Sequence, residues 1–197
     1  MTSARSEVLR RVSAALVGAV PIAIDVMPAA PPMSSARLVG LFLERVTDYR
    51  ATIAASVDDA LTEADTQALV PADLDRRWWP RSASVVVDEP ALGAAELDRA
   101  GIVVVTTCAV AIAETGTVVL DASVGQGRRI LTLVPDHHVC VVPTSRIVAT
   151  VAEAIACLDP RRPLTWISGP SATSDIELHR VEGVHGPRRL SVVIVAE

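Results

Sequence analysis

The chain has 197 residues, half of them hydrophobic, and a formal net charge of −5. That length suits one domain with a small appendage, and the apolar content is enough to bury a sizeable core. The charge offers nothing global to nucleic acid or an anionic membrane surface. All 18 basic side chains are arginine, which excludes Schiff-base and pyridoxal chemistry on a lysine and the Walker A loop.

Taken in order, the chain opens with Arg10-Arg11 before Val12–Val17, an arrangement similar to a signal peptide. Glu7 interrupts the basic part, and Pro21 and Asp25 break the apolar run. The spacing of Val8, Leu9, Val12 and Leu16 predicts a short amphipathic helix from Ser6 to about Val17 instead. Four prolines between Pro21 and Pro32 predict a linker, so residues 1–33 read as a helical extension and 34–197 as the main domain. No apolar run reaches ~18 residues, so no transmembrane span is predicted.

Ser34 or Ser35 is placed to cap a second helix through Leu38, Leu41, Phe42, Arg45 and Val46. The pattern then alternates. Strands are predicted at 51–57, 67–70, 84–87 and 102–105, with helical stretches at 58–65 and 74–79 and a helix or turn at 91–99 between them. Further strands are predicted at 117–120, 129–134 and 139–142. A helix is predicted over Ile147–Leu158, capped by Thr144 or Ser145, and another beginning near Ala172. Helices alternating with short apolar strands predict an α/β fold: an open, largely parallel sheet flanked by helices, with a short N-terminal helical extension.

Cys108, Cys140 and Cys157 form no CxxC, zinc or iron–sulfur spacing. They read as free thiols in a reducing, cytoplasmic setting.

Four constellations carry polar chemistry. Glu114 precedes the Thr115-Gly116 turn into a strand, a position for a base, a nucleophile or a ligand to a substrate hydroxyl, and equally for a turn cap or an arginine partner. Gly125-Gln126-Gly127-Arg128-Arg129 lacks the third glycine of a dinucleotide fingerprint and reads either as an anion-holding turn or as a hairpin with solvated arginines. His137 and His138, adjacent in a strand, point to opposite faces, so only one can serve a given site. The fourth is the densest, from Ser168-Gly169-Pro170-Ser171 through Asp175 and Glu177 to His185-Gly186-Pro187-Arg188. A helix N-terminus at Ser171–Ser174 would favour a phosphate or carboxylate there, and the same residues are ordinary helix caps.

The stretches AIAETGT (111–117), GRRILTLVPDHHVCVVP (127–143) and ISGPSATSDIELHRVEGVHGPRRLSVVIV (167–195) together resemble the LUD-domain family of lactate-utilisation proteins. The resemblance is strong from Gly101 to Val195 and is confined to layout before that. It implies a fold like that of the ribose-5-phosphate isomerase, glucosamine-6-phosphate isomerase and CoA-transferase superfamily. It also implies a part in oxidising L-lactate to pyruvate beside iron–sulfur partner proteins. This chain has no cysteine cluster, so any clusters belong to those partners, and no cofactor or metal is expected in the chain itself. The positions carried over are Glu114 and His185 as catalytic candidates. Thr115, Gly116, Arg128, His137, Ser168, Gly169, Ser171, Asp175, Glu177, Gly186 and Arg188 are carried over as ligand-binding candidates.

Three readings follow. The first is an accessory, cluster-free subunit of a lactate-oxidising system that binds a small anionic metabolite in a C-terminal pocket, with homo-oligomerisation open. The second is a stand-alone isomerase, CoA-transferase-like or folate-acting enzyme that uses Glu114. The third is a pure protein-interaction module.

Overall fold

A computed structural model describes residues 4–19, 32–173, 181–183 and 185–196. The chain forms two compact units, Met1–Pro31 and Pro32–Glu197. In the first, helix α1 (Ala4–Ala15) buries none of its residues. Val8, Leu9 and Val12 are exposed, and Glu7 pairs with Arg10 and Arg11 on its surface. The predicted linker lies almost wholly outside the described residues.

The second unit is built on strands that are apolar on both faces. Ile102–Thr107 and His137–Pro143 are buried along their whole length, the signature of central strands in a parallel sheet. In chain order the strands of this sheet are β1 (Thr52–Ala54), β2 (Gln67–Val70), β3 (Ser84–Val87), β4 (Ile102–Thr107), β7 (His137–Pro143) and β12 (Arg189–Val195). They lie side by side in the order β1-β12-β7-β4-β2-β3, and every pairing is parallel. The fold is therefore α/β. The register sets His137 against Arg189 and Val103, and His138 against Leu190 and Val104.

One face of the sheet, through Val103, Val105, Val139, Val141 and Val193, packs with Val57 and Ala60 of the single-turn helix α3 (Val57–Ala60) and with Leu74, Trp78 and Trp79. The other face, through Cys140, Val142, Leu190 and Val192, packs with Phe42 and Val46 of helix α2 (Ser35–Asp48) and with Ala111, Val118 and Leu120. Those last three belong to a second sheet, of four strands. It contains β5 (Val110–Ile112), β6 (Thr117–Leu120), β8 (Ile147–Val148) and β9 (Thr165–Ile167), in the order β8-β5-β6-β9. The space between the two sheets is where the candidate site lies.

Local pattern and structure differ at several places. Arg129–Val134 does not extend as a strand: Arg129–Thr132 coils into a 3-10 turn that buries Leu131 and Thr132 and brings Ile130 and Val134 onto one small cluster. The helix predicted from Ile147 begins only at Val151. Ile147 and Val148 pair with Ala111 and Ile112, and helix α5 (Val151–Cys157) is capped by the Thr150 hydroxyl accepting from Glu153 N–H. The helix predicted over 58–65 is one turn long; Asp65 then ties down Thr62 in the loop that follows. No helix starts at Ala172. Ala172–Thr173 (β10) pairs antiparallel with Val181–Glu182 (β11), so the helix N-terminus expected to hold an anion is not formed there. Helix α4 shrinks to Ala94–Leu97.

Gly116, in the turn between β5 and β6, has φ +60° and lies against α2. A Cβ there would sit 2.7 Å from the Arg45 carbonyl carbon and the Val46 nitrogen. Both are backbone atoms that cannot swing aside. Gly116→Ala is accordingly expected to cost about 2–4 kcal/mol, left-handed strain plus overpacking, seen as a lower urea midpoint at unchanged slope.

Candidate functional site

A cavity of about 250 Å³ opens between the two sheets. One wall is β9 and the loop after it, Thr165 to Ala172; the other is His185-Gly186-Pro187, closed by Thr132 and Leu133, with His138 and Leu190 of the large sheet also lining it. The walls are laced together. Ser171 N–H donates to Pro187 O at 2.8 Å, Gly183 N–H donates to Ser171 O at 2.9 Å, and His185 N–H donates to Ser171 Oγ at 3.1 Å. Gly169 has φ +88°, and a Cβ there would lie 2.6 Å from Tyr49 O. Only glycine lets the loop lie this close to the end of α2.

Five sequence candidates therefore meet at one cavity: Ser168, Gly169, Ser171, His185 and Gly186. Thr115 reaches it indirectly. Its hydroxyl lies 2.7 Å from that of Thr117, which lies 2.7 Å from that of Ser168. Gly116 serves the packing on α2.

The remaining candidates lie elsewhere. Glu114 Oε1 accepts from Val151 N–H at 2.7 Å, capping α5, and does not line the cavity. Arg128 grips Asp88 with two hydrogen bonds of 2.7 Å and also donates to Leu92 O. Burial opposes ionisation of Asp88, but its bonds to Arg128 prevail and hold the carboxyl below the usual carboxylate range. Arg188 lines an adjoining open hollow of about 450 Å³ that shares Leu133 and Gly186 with the cavity. Its side chain is 61% exposed and its Nε lies 3.6 Å from Asp136 Oδ1, a loose pairing among the described residues. Asp175 and Glu177 lie outside the described residues.

His137 and His138 face opposite sides of the sheet, as strand alternation requires, and the cavity takes His138. This side chain is wholly buried. Its Nε2 lies 2.8 Å from Thr106 Oγ1, and its Nδ1 has no partner among the described residues. Burial, reinforced by repulsion from His137, lowers its pKa to about 3, so the ring is neutral at physiological pH. The sequence offered two histidines and no way to choose; only register and layering separate them.

On the opposite face, Asp65, His137 and Ser191 form a chain: Asp65 Oδ2 to His137 Nδ1 is 3.0 Å, and His137 Nε2 to Ser191 Oγ is 2.8 Å. The carboxylate fixes the tautomer, so Nδ1–H donates to Asp65 and Nε2 accepts from the Ser191 hydroxyl. This is the bonding order of a hydrolytic triad. Ser191 is only 4% exposed, and, so enclosed, the chain of bonds ties β7 and β12 to the loop that carries Asp65. Sequence reading singled out neither Asp65 nor Ser191, which lie 126 positions apart with no local motif.

Among the described residues no group of three or more His, Cys, Asp or Glu side chains is placed to hold a metal ion. No described helix is long and apolar enough to cross a membrane.

Comparison with known proteins adds four findings. The LUD domain family matches residues 99–195. A lactate utilization protein C from Deinococcus radiodurans is 47% identical over 98% of this chain and 95% of its own length. A second protein of that name, from Geobacillus kaustophilus, is 31% identical over 83% of this chain and 71% of its own. Among solved structures, a DUF162 family protein from Deinococcus radiodurans superposes with a TM-score of 0.68 at 42% identity, covering 84% of this chain and all of that one.

Proposed function

The chain belongs to the LUD-domain family of lactate-utilisation proteins, and from that premise we propose that it serves lactate utilisation as a cluster-free subunit of an L-lactate-oxidising system. In this reading it works in the cytoplasm beside iron–sulfur partners and holds a small anionic metabolite at the cavity between its two sheets. The observation that carries the proposal is the cavity itself. It is lined by residues 167–172 and 185–187 and by Leu190, from the stretch that bears the family resemblance, and by the buried, neutral His138. Arg188, across the wall of Gly186 and Leu133, is the nearby cation suited to a carboxylate. His185, exposed at the cavity, is the group placed to exchange a proton with a hydroxyl. Glu114 already accepts the Val151 N–H, which favours binding over turnover by this chain alone.

Complementation tests the role. In a Deinococcus radiodurans strain lacking its 47% identical relative, this chain is expected to restore growth on L-lactate as carbon source. It is also expected to co-purify with a cysteine-rich protein whose visible absorption bleaches on reduction. Expression without restored growth would overturn the role.

A further inference from the structure

We propose that the cavity takes a small 2-hydroxy acid in preference to the matching 2-oxo acid, the ligand's hydroxyl bridging the Ser171 hydroxyl and the Thr132 carbonyl beside Gly186. This rests on the reading that the cavity is the metabolite site.

Gly186 defines the position. It lines the cavity together with Ser171 and Thr132. A Cβ added there would meet Ser171 Cβ at 3.5 Å, Ser171 Oγ at 3.9 Å and Thr132 O at 3.9 Å as its nearest described neighbours beyond residues 185 and 187. The glycine thus leaves a point open on the cavity wall that a carbon fills without clash. That point is equally far from a hydroxyl and from a carbonyl. A carbon that bears a hydroxyl stands about 3.5–4 Å from the atom its hydroxyl bonds, one O···O contact and one C–O bond at a bent angle. The open point is therefore where a hydroxylated carbon of a ligand belongs.

The two oxygens differ in what they offer. Ser171 has spent its backbone groups across the wall, its N–H on Pro187 O at 2.8 Å and its carbonyl on Gly183 N–H at 2.9 Å, and its Oγ accepts from His185 N–H at 3.1 Å. A hydroxyl has one proton to give, and no described residue takes this one. A hydroxyl that already accepts also donates more strongly. Thr132 is 2% exposed. Its own hydroxyl donates to Arg129 O at 3.1 Å, and no described residue donates to its carbonyl. A buried carbonyl of this kind calls for a donor.

The position thus suits a group that accepts from Ser171 and donates to Thr132. A hydroxyl does both. A ketone only accepts, and turns its lone pairs against those of Thr132 O; a methylene does neither. A site built to bond a substrate hydroxyl rejects the analogue that lacks it by a large factor. Ser171 is bonded to the residues on both sides of Gly186, His185 and Pro187, so donor, acceptor and open point are held together before a ligand arrives. In an L-lactate-oxidising system such a site holds the substrate and releases the product.

Isothermal titration of the full chain with L-lactate, pyruvate and propionate tests this. The three acids share a carboxylate and a methyl group and differ at the carbon between them. L-Lactate is expected to bind roughly tenfold or more tightly than either of the others. In Ser171→Ala lactate should weaken roughly tenfold, while propionate, which makes no bond to the hydroxyl, stays within about twofold. Ser171→Thr keeps the hydroxyl and should restore lactate binding. A purely structural Ser171 would weaken both acids alike. Should Ser171→Ala fail to fold, Gly186→Ala carries the test. Its Cβ makes ordinary contacts and takes the place of the hydroxylated carbon. It is expected to weaken lactate binding roughly tenfold or more with an unchanged circular dichroism spectrum. Three results would each overturn the inference: pyruvate binding as tightly as lactate, lactate and propionate weakening alike in a folded Ser171→Ala, or a folded Gly186→Ala with unchanged affinity for lactate. Lactate and pyruvate bound equally, and both lost in Gly186→Ala, removes this inference alone and leaves the cavity as the metabolite site. Restored growth by a chain that binds none of the three acids removes the cavity reading as well.

Discussion

Asp65→Ala is expected to lower the unfolding free energy by about 2–3 kcal/mol, the range for losing hydrogen bonds to a charged group. The Asp65 side chain is 1% exposed and accepts five hydrogen bonds. Thr62 supplies its N–H at 2.9 Å and its hydroxyl at 2.7 Å, Arg189 supplies Nη1 at 3.1 Å and Nη2 at 2.6 Å, and His137 supplies Nδ1 at 3.0 Å. Alanine leaves the buried His137 Nδ1–H with nothing to accept it, while the exposed Thr62 and the part-exposed Arg189 can turn to water. Ser191→Ala removes one neutral bond and should cost only about 1 kcal/mol. Urea denaturation at pH 7 gives both numbers from the midpoints at constant slope. Equal losses for the two variants would show that the network is not centred on Asp65. A pH dependence accompanies it. Burial opposes ionisation of Asp65, but Arg189 and Thr62 prevail and pull its pKa from 3.8 to about 2. The unfolded chain then takes up the proton first. A stabilisation of about 2 kcal/mol is fully present above about pH 4 and is lost as pH falls through 2.

The network matters because of what it joins. Asp65 lies in the loop after α3, His137 opens β7, and Arg189 and Ser191 lie at the start of β12. In the register Arg189 faces His137 directly. A slip of one residue would turn His137 into the cavity face and His138 out of it. The lock on one face therefore fixes which histidine the other face presents. The bonding order of a catalytic triad is used here to hold register, and the loss on Asp65→Ala reports that use.

The parallel sheet is legible in the sequence because its strands need no partner to be recognised. Ser84–Val87 and Ile102–Thr107 are runs of β-branched residues between turn formers, and such runs suit a sheet buried on both faces. The elements that differ are those whose shape is decided by a distant partner. Ile147 and Val148 continue a helical pattern, yet Ala111 and Ile112 claim them for a sheet edge. Arg129–Val134 has strand composition, yet a turn buries Leu131 more fully. Ala172 follows a serine that reads as a cap, yet Glu182 pairs with it. Local propensity is a weak prior against such contacts.

The site divides in the same way. The density of Ser168, Gly169, Ser171, His185 and Gly186 is visible in the sequence because all lie within one short stretch. Of their company at the cavity, Thr132 and His138 come from the distant stretch 127–143, and Trp166 and Leu190 flank the dense stretch as apolar strand residues. Glu114 and Arg128 stood out by residue type, and the structure gives each a partner distant in the chain, Val151 N–H and Asp88. A charged side chain beside a glycine turn has the same local signature whether it caps a helix or meets a ligand, and only the position of its partner tells the two apart.

Acid sensitivity set by His138 is the second large effect expected. Burial, with His137 alongside, lowers its pKa from 6.5 to about 3, so the folded protein resists a proton that the unfolded chain accepts. Its contribution is fully present above pH 6.5. It then falls by about 1.4 kcal/mol per pH unit until pH 3, a total of about 4–5 kcal/mol. His137 is likewise held below the ordinary imidazole range, burial outweighing the pull of Asp65, and acts in the same direction. His138→Gln keeps an amide for Thr106 and cannot be protonated in this range. It is expected to be less stable than wild type at pH 8 by about 1–2 kcal/mol. Between pH 6.5 and 4.5 it should lose about 3 kcal/mol less than wild type, so the two stability curves cross. Guanidinium denaturation at half-unit pH steps measures both slopes, and His137, present in both proteins, cancels to first order. Parallel curves would mean that His138 takes up its proton in the folded state. The ring would then be cationic only below about pH 6.5, and the cavity wall would gain a charge on the acid side alone.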